Sequence, residues 1–254
     1  MSWCDKLAST ASVGFGLDFH FAPSEALLTA ISPILDREVE GDKPTFAVEQ
    51  QEPFNVVFNT FSGFKYGIEP SKAHVSFNHR MRPKAISGGP PIMEMLSRPL
   101  PYSDLLPVVS RKLTEIVLLL PSPKDRKVTR YGVVSTTPVD AEELPPGIAR
   151  LIDYIGKPWG SLTDAFSIQI TAEVSKGSGW RDRCVHTLLR TENPNDLMTI
   201  MFDFQRQYSN GRTIAEDSIE EITTTTEKAA LRYFEELAEG NRFDEINVSG
   251  SVES

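Results

Sequence analysis

The sequence predicts an α+β fold: a mostly antiparallel sheet with helices on one face. Three observations carry the prediction. Several stretches alternate apolar and polar residues one by one, the period of a half-buried strand. A few longer stretches repeat apolar residues every three or four positions, the period of a helix. Short turns, rather than helices, separate most of the strands, which favours antiparallel neighbours.

The clearest elements close the chain. Leu197 to Arg206 reads as a strand. Ser218 to Ala238 reads as the longest helix, with Ile219, Ile222, Thr226, Ala230, Tyr233 and Leu237 on one face. Ser218 and Glu221 have capping-box spacing, and Gly240 is a natural stop. Thr223 to Thr226 are four β-branched residues in a row, so packing must hold this helix.

From the start of the chain, Ala11 to Phe21 is a strand with Val13, Phe15, Leu17, Phe19 and Phe21 inward. A helix follows from Pro23 to about Arg37, with Leu27, Ile31 and Leu35 inward and a kink at Pro33. Thr45 to Gln50, Phe54 to Thr60, Phe64 to Ile68 and Ala73 to Arg82 read as strands. Residues 83–101 are rich in Pro and Gly and form a long connection with one helical turn at Ile92 to Leu96. Ser103 caps a helix to about Leu120, with Leu106, Val109, Leu113, Ile116 and Leu120 inward.

The pattern then restarts. Lys127 to Thr136 is a strand, Asp140 to Ile155 an interrupted helix, and Phe166 to Val174 and Trp180 to Arg190 are strands around a Gly177-Ser178-Gly179 turn. Both halves read β-α-β-β-β-α, the first with one extra strand, which predicts an internal structural repeat. The halves are 1–122 and 123–245, and 246–254 is a frayed polar tail.

Composition excludes several classes. The net charge of −9 argues against a general polyanion-binding surface, so nucleic acid is not the expected partner. No apolar run reaches the roughly 18 residues of a membrane span, and the N-terminus lacks the pattern of a secretory signal. Two cysteines, Cys4 and Cys184, suit a reducing cytoplasm and are too few for a disulfide framework or a cysteine-only zinc site. Neither metal nor other cofactor is expected.

Two candidate clusters lie on the predicted polar side of the sheet. Asp18 and His20, two apart on the first strand, have the residue types of a general-base pair, yet no nucleophile can be assigned to them. Gly14 and Gly16 let another group approach that strand closely. Asn78, Arg80 and Arg82, with Lys84, form a basic strip suited to a phosphate or an acidic partner. Cys184 and His186 would share a strand face, where both are commonly packing residues.

With Arg130-Tyr131-Gly132 in a central strand and Tyr233-Phe234-Glu235-Glu236-Leu237 closing the last helix, the chain resembles a sporadically distributed family of bacterial proteins of similar length. That family has no assigned chemistry. Its patchy distribution implies an association with mobile or defence-related gene neighbourhoods. The expectation is a non-enzymatic cytosolic component of an assembly, binding a partner protein or its own copy through the open sheet face. Two alternatives stand beside it. One is a small-molecule sensor or carrier with a cavity between the sheet and the last helix. The other is an enzyme of the double helix-wrapping-sheet type working through Asp18 and His20.

Overall fold

The structure, a computed structural model, describes residues 3–6, 10–40, 43–78, 81–84, 92–95, 100–121, 126–159, 165–190 and 197–241. For 81–84, 92–95, 141, 159 and 197 it describes the backbone alone. In chain order the elements are α1 (Trp3–Lys6), β1 (Thr10–Leu17), α2 (Ser24–Leu35), β2 (Val39–Glu40), β3 (Lys43–Pro44), β4 (Phe46–Glu52), β5 (Asn55–Thr60), β6 (Phe64–Glu69), β7 (Lys72–Phe77), β8 (Met81–Lys84), β9 (Ile92–Met95), α3 (Tyr102–Leu119), β10 (Lys127–Asp140), α4 (Pro146–Gly156), β11 (Phe166–Gly177), β12 (Trp180–Arg190), β13 (Leu197–Thr213) and α5 (Glu216–Glu239).

The fold is α+β. Nine antiparallel strands form one sheet in the order β11-β12-β13-β10-β1-β7-β6-β5-β4, and β2-β3 and β8-β9 form two small ladders. The centre of the large sheet is the β1–β10 pair, which joins the two halves of the chain. Its register sets Val13 opposite Val133, Gly14 opposite Gly132 and Phe15 opposite Tyr131.

One face of the sheet is greasy, and α3 and α5 pack on it. Val13, Phe15, Tyr66, Val75, Tyr131, Val133 and Phe204 are buried there, as alternation requires. Phe15 and Tyr131 touch across the central pair with ring centroids 4.7 Å apart. The Tyr131 hydroxyl donates to Glu227 Oε1 on α5 at 2.7 Å and lies 3.2 Å from Ser110 Oγ on α3. A single phenol thus meets both long helices. The inward residues expected for α3 are all buried, as are those for α5. Four threonines cost α5 about 2–3 kcal/mol of helix propensity against alanine. Burying Ile219, Ile222, Tyr233, Phe234 and Leu237 contributes about 1.5–3 kcal/mol each and outweighs that cost.

Several expectations change. β1 ends at Leu17, not Phe21, because the chain leaves the sheet there: the Leu17 N–H donates to Ser71 O, that of Asp18 to Lys127 O, and that of His20 to Pro70 O. Phe19 and Phe21 are consequently exposed rather than inward. β7 stops at Phe77, and the segment predicted as its end pairs as β8 with β9, which occupies the predicted helical turn at 92–96. In α2, Ile34 is buried and Leu35 only half-buried, and Pro33 sits inside the helix. α3 begins after Pro101 and α5 after Ala215, with no side-chain cap bond at either end, so neither Ser103 nor Ser218 is a cap. Gly240 does end α5, in the left-handed conformation at φ 87°. The predicted tail at 246–254 lies outside the described residues.

Glu227 gives a test of the packed face. Burial raises its carboxyl above the ordinary glutamate value, against the pull of its bonds to Ser110 and Tyr131. The folded chain then keeps a proton where the unfolded chain has lost it. Its contribution is fully present below the unfolded value near 4.5 and declines as pH rises through the raised one. In chemical denaturation, Glu227→Gln should remove that decline relative to wild type. Tyr131→Phe, which takes away a donor to the buried carboxylate, should cost about 1–3 kcal/mol.

Candidate functional site

The opposite face of the sheet carries small and polar groups. At its centre lies a depression of about 260 Å³ lined by Ser12, Gly14 and Gly16 of β1, Lys72 and His74 of β7, Arg130, Gly132 and Val134 of β10, and Asp203 and Gln205 of β13. The four strands are neighbours in the order β13-β10-β1-β7, so these residues converge from across the sheet. The register explains the hollow. Gly14 faces Gly132 across the central pair, His74 flanks Gly14 on one side, and Gln205 flanks Gly132 on the other. Two facing glycines leave the floor of the sheet bare where side chains would otherwise stand.

Arg130 lies over Gly16: a Cβ on that glycine would collide with Arg130 Cγ. His74 lies over Gly67 of β6 in the same way. Gly16 and Arg130 also line an adjoining, more open hollow with Leu17, Ser71, Thr129, Gln207 and Tyr208. Together the two form a furrow running along β1 toward its end. Two residues beyond Leu17 begins an exposed aromatic patch, Phe19, Phe21 and Phe54, with ring centroids 4.5 Å apart for Phe19–Phe21 and 4.9 Å for Phe21–Phe54.

The electrostatics are unusual for a chain of net charge −9. Lys72 and Arg130 line the depression, and Arg183 of β12 pairs in register with Gln205 at its margin. Burial raises the Asp203 carboxyl above its ordinary value, while a hydrogen bond from Gln205 (2.8 Å to Oδ2) and the charges of Arg130 and Arg183 pull it down. Burial and the nearby Lys72 lower the His74 pKa, which favours the neutral imidazole. Asp203 Oδ1 and His74 Nδ1 are buried and have no hydrogen-bond partner among the described residues. Orphaned polar atoms beside a cationic hollow suit a group that brings both an anion and a hydrogen-bond donor.

The residues singled out from sequence fall elsewhere. Asp18 is exposed and His20 half-buried, both on the loop after β1, so they do not share a polar strand face. The loop is tied from below by buried Arg126, whose Nη2 donates to Pro70 O at 3.0 Å and to Asp18 O at 3.5 Å. Asn78 is exposed just past the end of β7. Arg80 lies outside the described residues, and Arg82 belongs to the separate β8–β9 ladder. The basic strip therefore does not run along one strand of the large sheet. Cys184 and His186 do share a face and are both buried, His186 against Phe202 and Tyr233. Among the described residues no cluster of His, Cys, Asp and Glu could hold a metal ion, and no helix is long and apolar enough to cross a membrane.

A second cleft, of about 380 Å³, opens on the helical side between α5 and the strands β11, β12 and β13. Its floor holds the buried Asp182–Arg206 pair, bidentate at 2.7 Å on both arms, and its rim holds Lys228, Arg232 and Glu236. Arg206 also donates to Thr225 Oγ1 at 3.2 Å and lies 4.1 Å over the Trp180 ring. Those contacts account for its guanidinium as a packing element.

Compared with protein-family models, curated proteins and solved structures, the chain matches none. The resemblance to the bacterial family rests on its own short motifs. Of these, Arg130 and Gly132 line the depression, while Tyr131 between them points into the core.

Sequence reasoning missed Lys72, His74, Arg130 and Gly132 as site residues. The available signal was the recurrence of glycine on strands, at Gly14, Gly16, Gly67 and Gly132, where each weakens the sheet. A Cβ on Gly132 would meet Gln205 Cγ at 3.5 Å and Phe204 O at 3.8 Å, ordinary contacts. Gly132→Ala should therefore raise stability by about 0.5–1 kcal/mol in denaturant titration; a loss of stability would mean that the glycine serves the fold and not the hollow.

Proposed function

We propose that the protein is a binding component of a cytosolic protein assembly, and that the open face of its sheet seats an acidic segment of a partner. The observation that carries this is the glycine-floored depression. It offers Arg130 to a carboxylate, with Lys72 beside it in a loose 3.7 Å ion pair with Glu69, and leaves Asp203 Oδ1 in need of a donor. An acidic residue in a peptide supplies both, through its side chain and a backbone N–H. The exposed Phe19, Phe21 and Phe54, on the loops after β1 and before β5, offer a separate apolar anchor, and aromatic anchors carry much of the energy of protein interfaces. Cys4 and Cys184, both buried, fit a reducing compartment. A defence-associated role would follow from the family resemblance.

The duplicated unit belongs to the same reading. Strand order supports it: outward from the central β1 and β10 come β7 and β13, then β6 and β12, then β5 and β11, with β4 as the additional strand. On this reading the hollow lies on the axis relating the halves, where the two central glycines meet.

The cleft under α5 favours a second reading, a small-molecule sensor or carrier. A ligand-dependent rise in melting temperature that survives changes at Lys72 and Arg130 would support it. The enzyme reading is not carried forward, because Asp18 and His20 lie outside the furrow's lining.

Affinity purification from the native cell tests the main reading, comparing wild type with Lys72→Glu/Arg130→Glu. The expected outcome is a protein recovered by wild type and lost, by tenfold or more, with the charge-reversed chain. Equal recovery by both chains would contradict it.

A further inference from the structure

The two edges of the large sheet are built differently. The β4 edge is short and guarded: seven residues, a bulge at Glu49, and charges at Glu49 and Glu52. Glu49 is itself engaged by Lys65 at 2.7 Å and by Asn59. The β11 edge runs for twelve residues and pairs only with β12 among the described residues. From Phe166 to Glu173 its ladder is regular, and its one register shift comes after Glu173. Its charged residues are Glu173 and Lys176 alone. Long, regular, weakly charged edges pair with other strands unless something blocks them, and charge, proline and bulges are the usual blocks.

We infer that two copies of the chain join by antiparallel pairing of β11 with β11. The strand is its own complement. A two-fold axis perpendicular to the sheet keeps the helical sides together, so a residue must pair with one of the same face. The regular stretch then centres on Gln169 or Ile170. Centred on Ile170, Ile168 faces Ala172, Gln169 faces Thr171, and Ser167 faces Glu173. Apolar side chains meet apolar ones on the helical side, where Ile168 and Ile170 are only half-buried in one copy. On the open side polar residues meet, and no like charges oppose each other. Two negatively charged molecules can approach here because this strand carries so little of the charge.

The pairing would fuse two nine-stranded sheets into one and place both glycine-floored depressions on the same side. A partner with two acidic segments would then bind with avidity. The dimer stands without the proposed function, since it rests on the edge and not on the hollow.

Sedimentation velocity of the full chain reads the answer directly. Wild type should sediment at twice the 28.3 kDa chain mass. Gln169 and Thr171 are exposed, so Gln169→Lys/Thr171→Lys should leave the far-UV circular dichroism unchanged while facing lysines across the axis in either register. That variant should sediment as a monomer, and mixing it with Gln169→Glu/Thr171→Glu should restore the dimer. A monomeric wild type, or a lysine variant that stays dimeric, would overturn the inference, as would a failure of the mixed charges to pair. A monomeric chain keeps its hollow intact, so the charge reversal at Lys72 and Arg130 tests the binding site separately from the dimer.

Discussion

The antiparallel pairing of β1 with β10 is the constraint on which the rest of the molecule depends. These two strands lie far apart in sequence and bring the two halves into one sheet. Their register decides both faces at once. On one side it sets Phe15 against Tyr131 and hands the Tyr131 hydroxyl to α3 and α5. On the other it sets Gly14 against Gly132 and opens the hollow. A slip of one residue would exchange the faces, burying the glycines and exposing the rings, so the register is strongly specified.

Polar groups serve the two faces differently. On the helical side several buried polar groups lock elements together, although Tyr66 Oη and Thr226 Oγ1 have no partner among the described residues. Asp182 and Arg206 bridge β12 and β13 and reach Thr225 on α5, and Tyr131 reaches Glu227. Breaking such a bond leaves a desolvated group behind, which costs more than the bond's net worth. On the open side the orphaned atoms lie together around the hollow. Asp203 and His74 keep buried atoms without partners, and Arg130 spreads over a glycine instead of over a carboxylate. Strand glycines sacrifice local stability as well. A surface that gives up stability at several neighbouring positions fits a docking site better than it fits a solvated wall.

Much of this fold was legible in the chain because period is a local property. The inward faces of α3 and α5 follow from spacing alone, and β12 falls where alternation and the Gly177-Ser178-Gly179 turn place it. The site was less legible, because it is made by register between strands distant in sequence. Gly14 and Gly16 hint at a close approach, yet nothing local says that Gly132 will face them or that Lys72 and Arg130 will flank them. The misplacement of Asp18 and His20 has a related cause. Alternation continues through Phe19 and Phe21 although the chain has left the sheet, and exposed aromatics there mimic an inward row. Arg126, remote in sequence, ties down that departure, and no pattern within residues 11–21 encodes it.

Hydrogen–deuterium exchange across β1 and β10 tests the central pairing most directly. If that pair unites the halves, its amides should exchange only with global unfolding, and protection in β7 and β13 should be lost in the same step. Loss of protection across residues 10–78 while 127–213 remain protected would show two independent units and contradict the account.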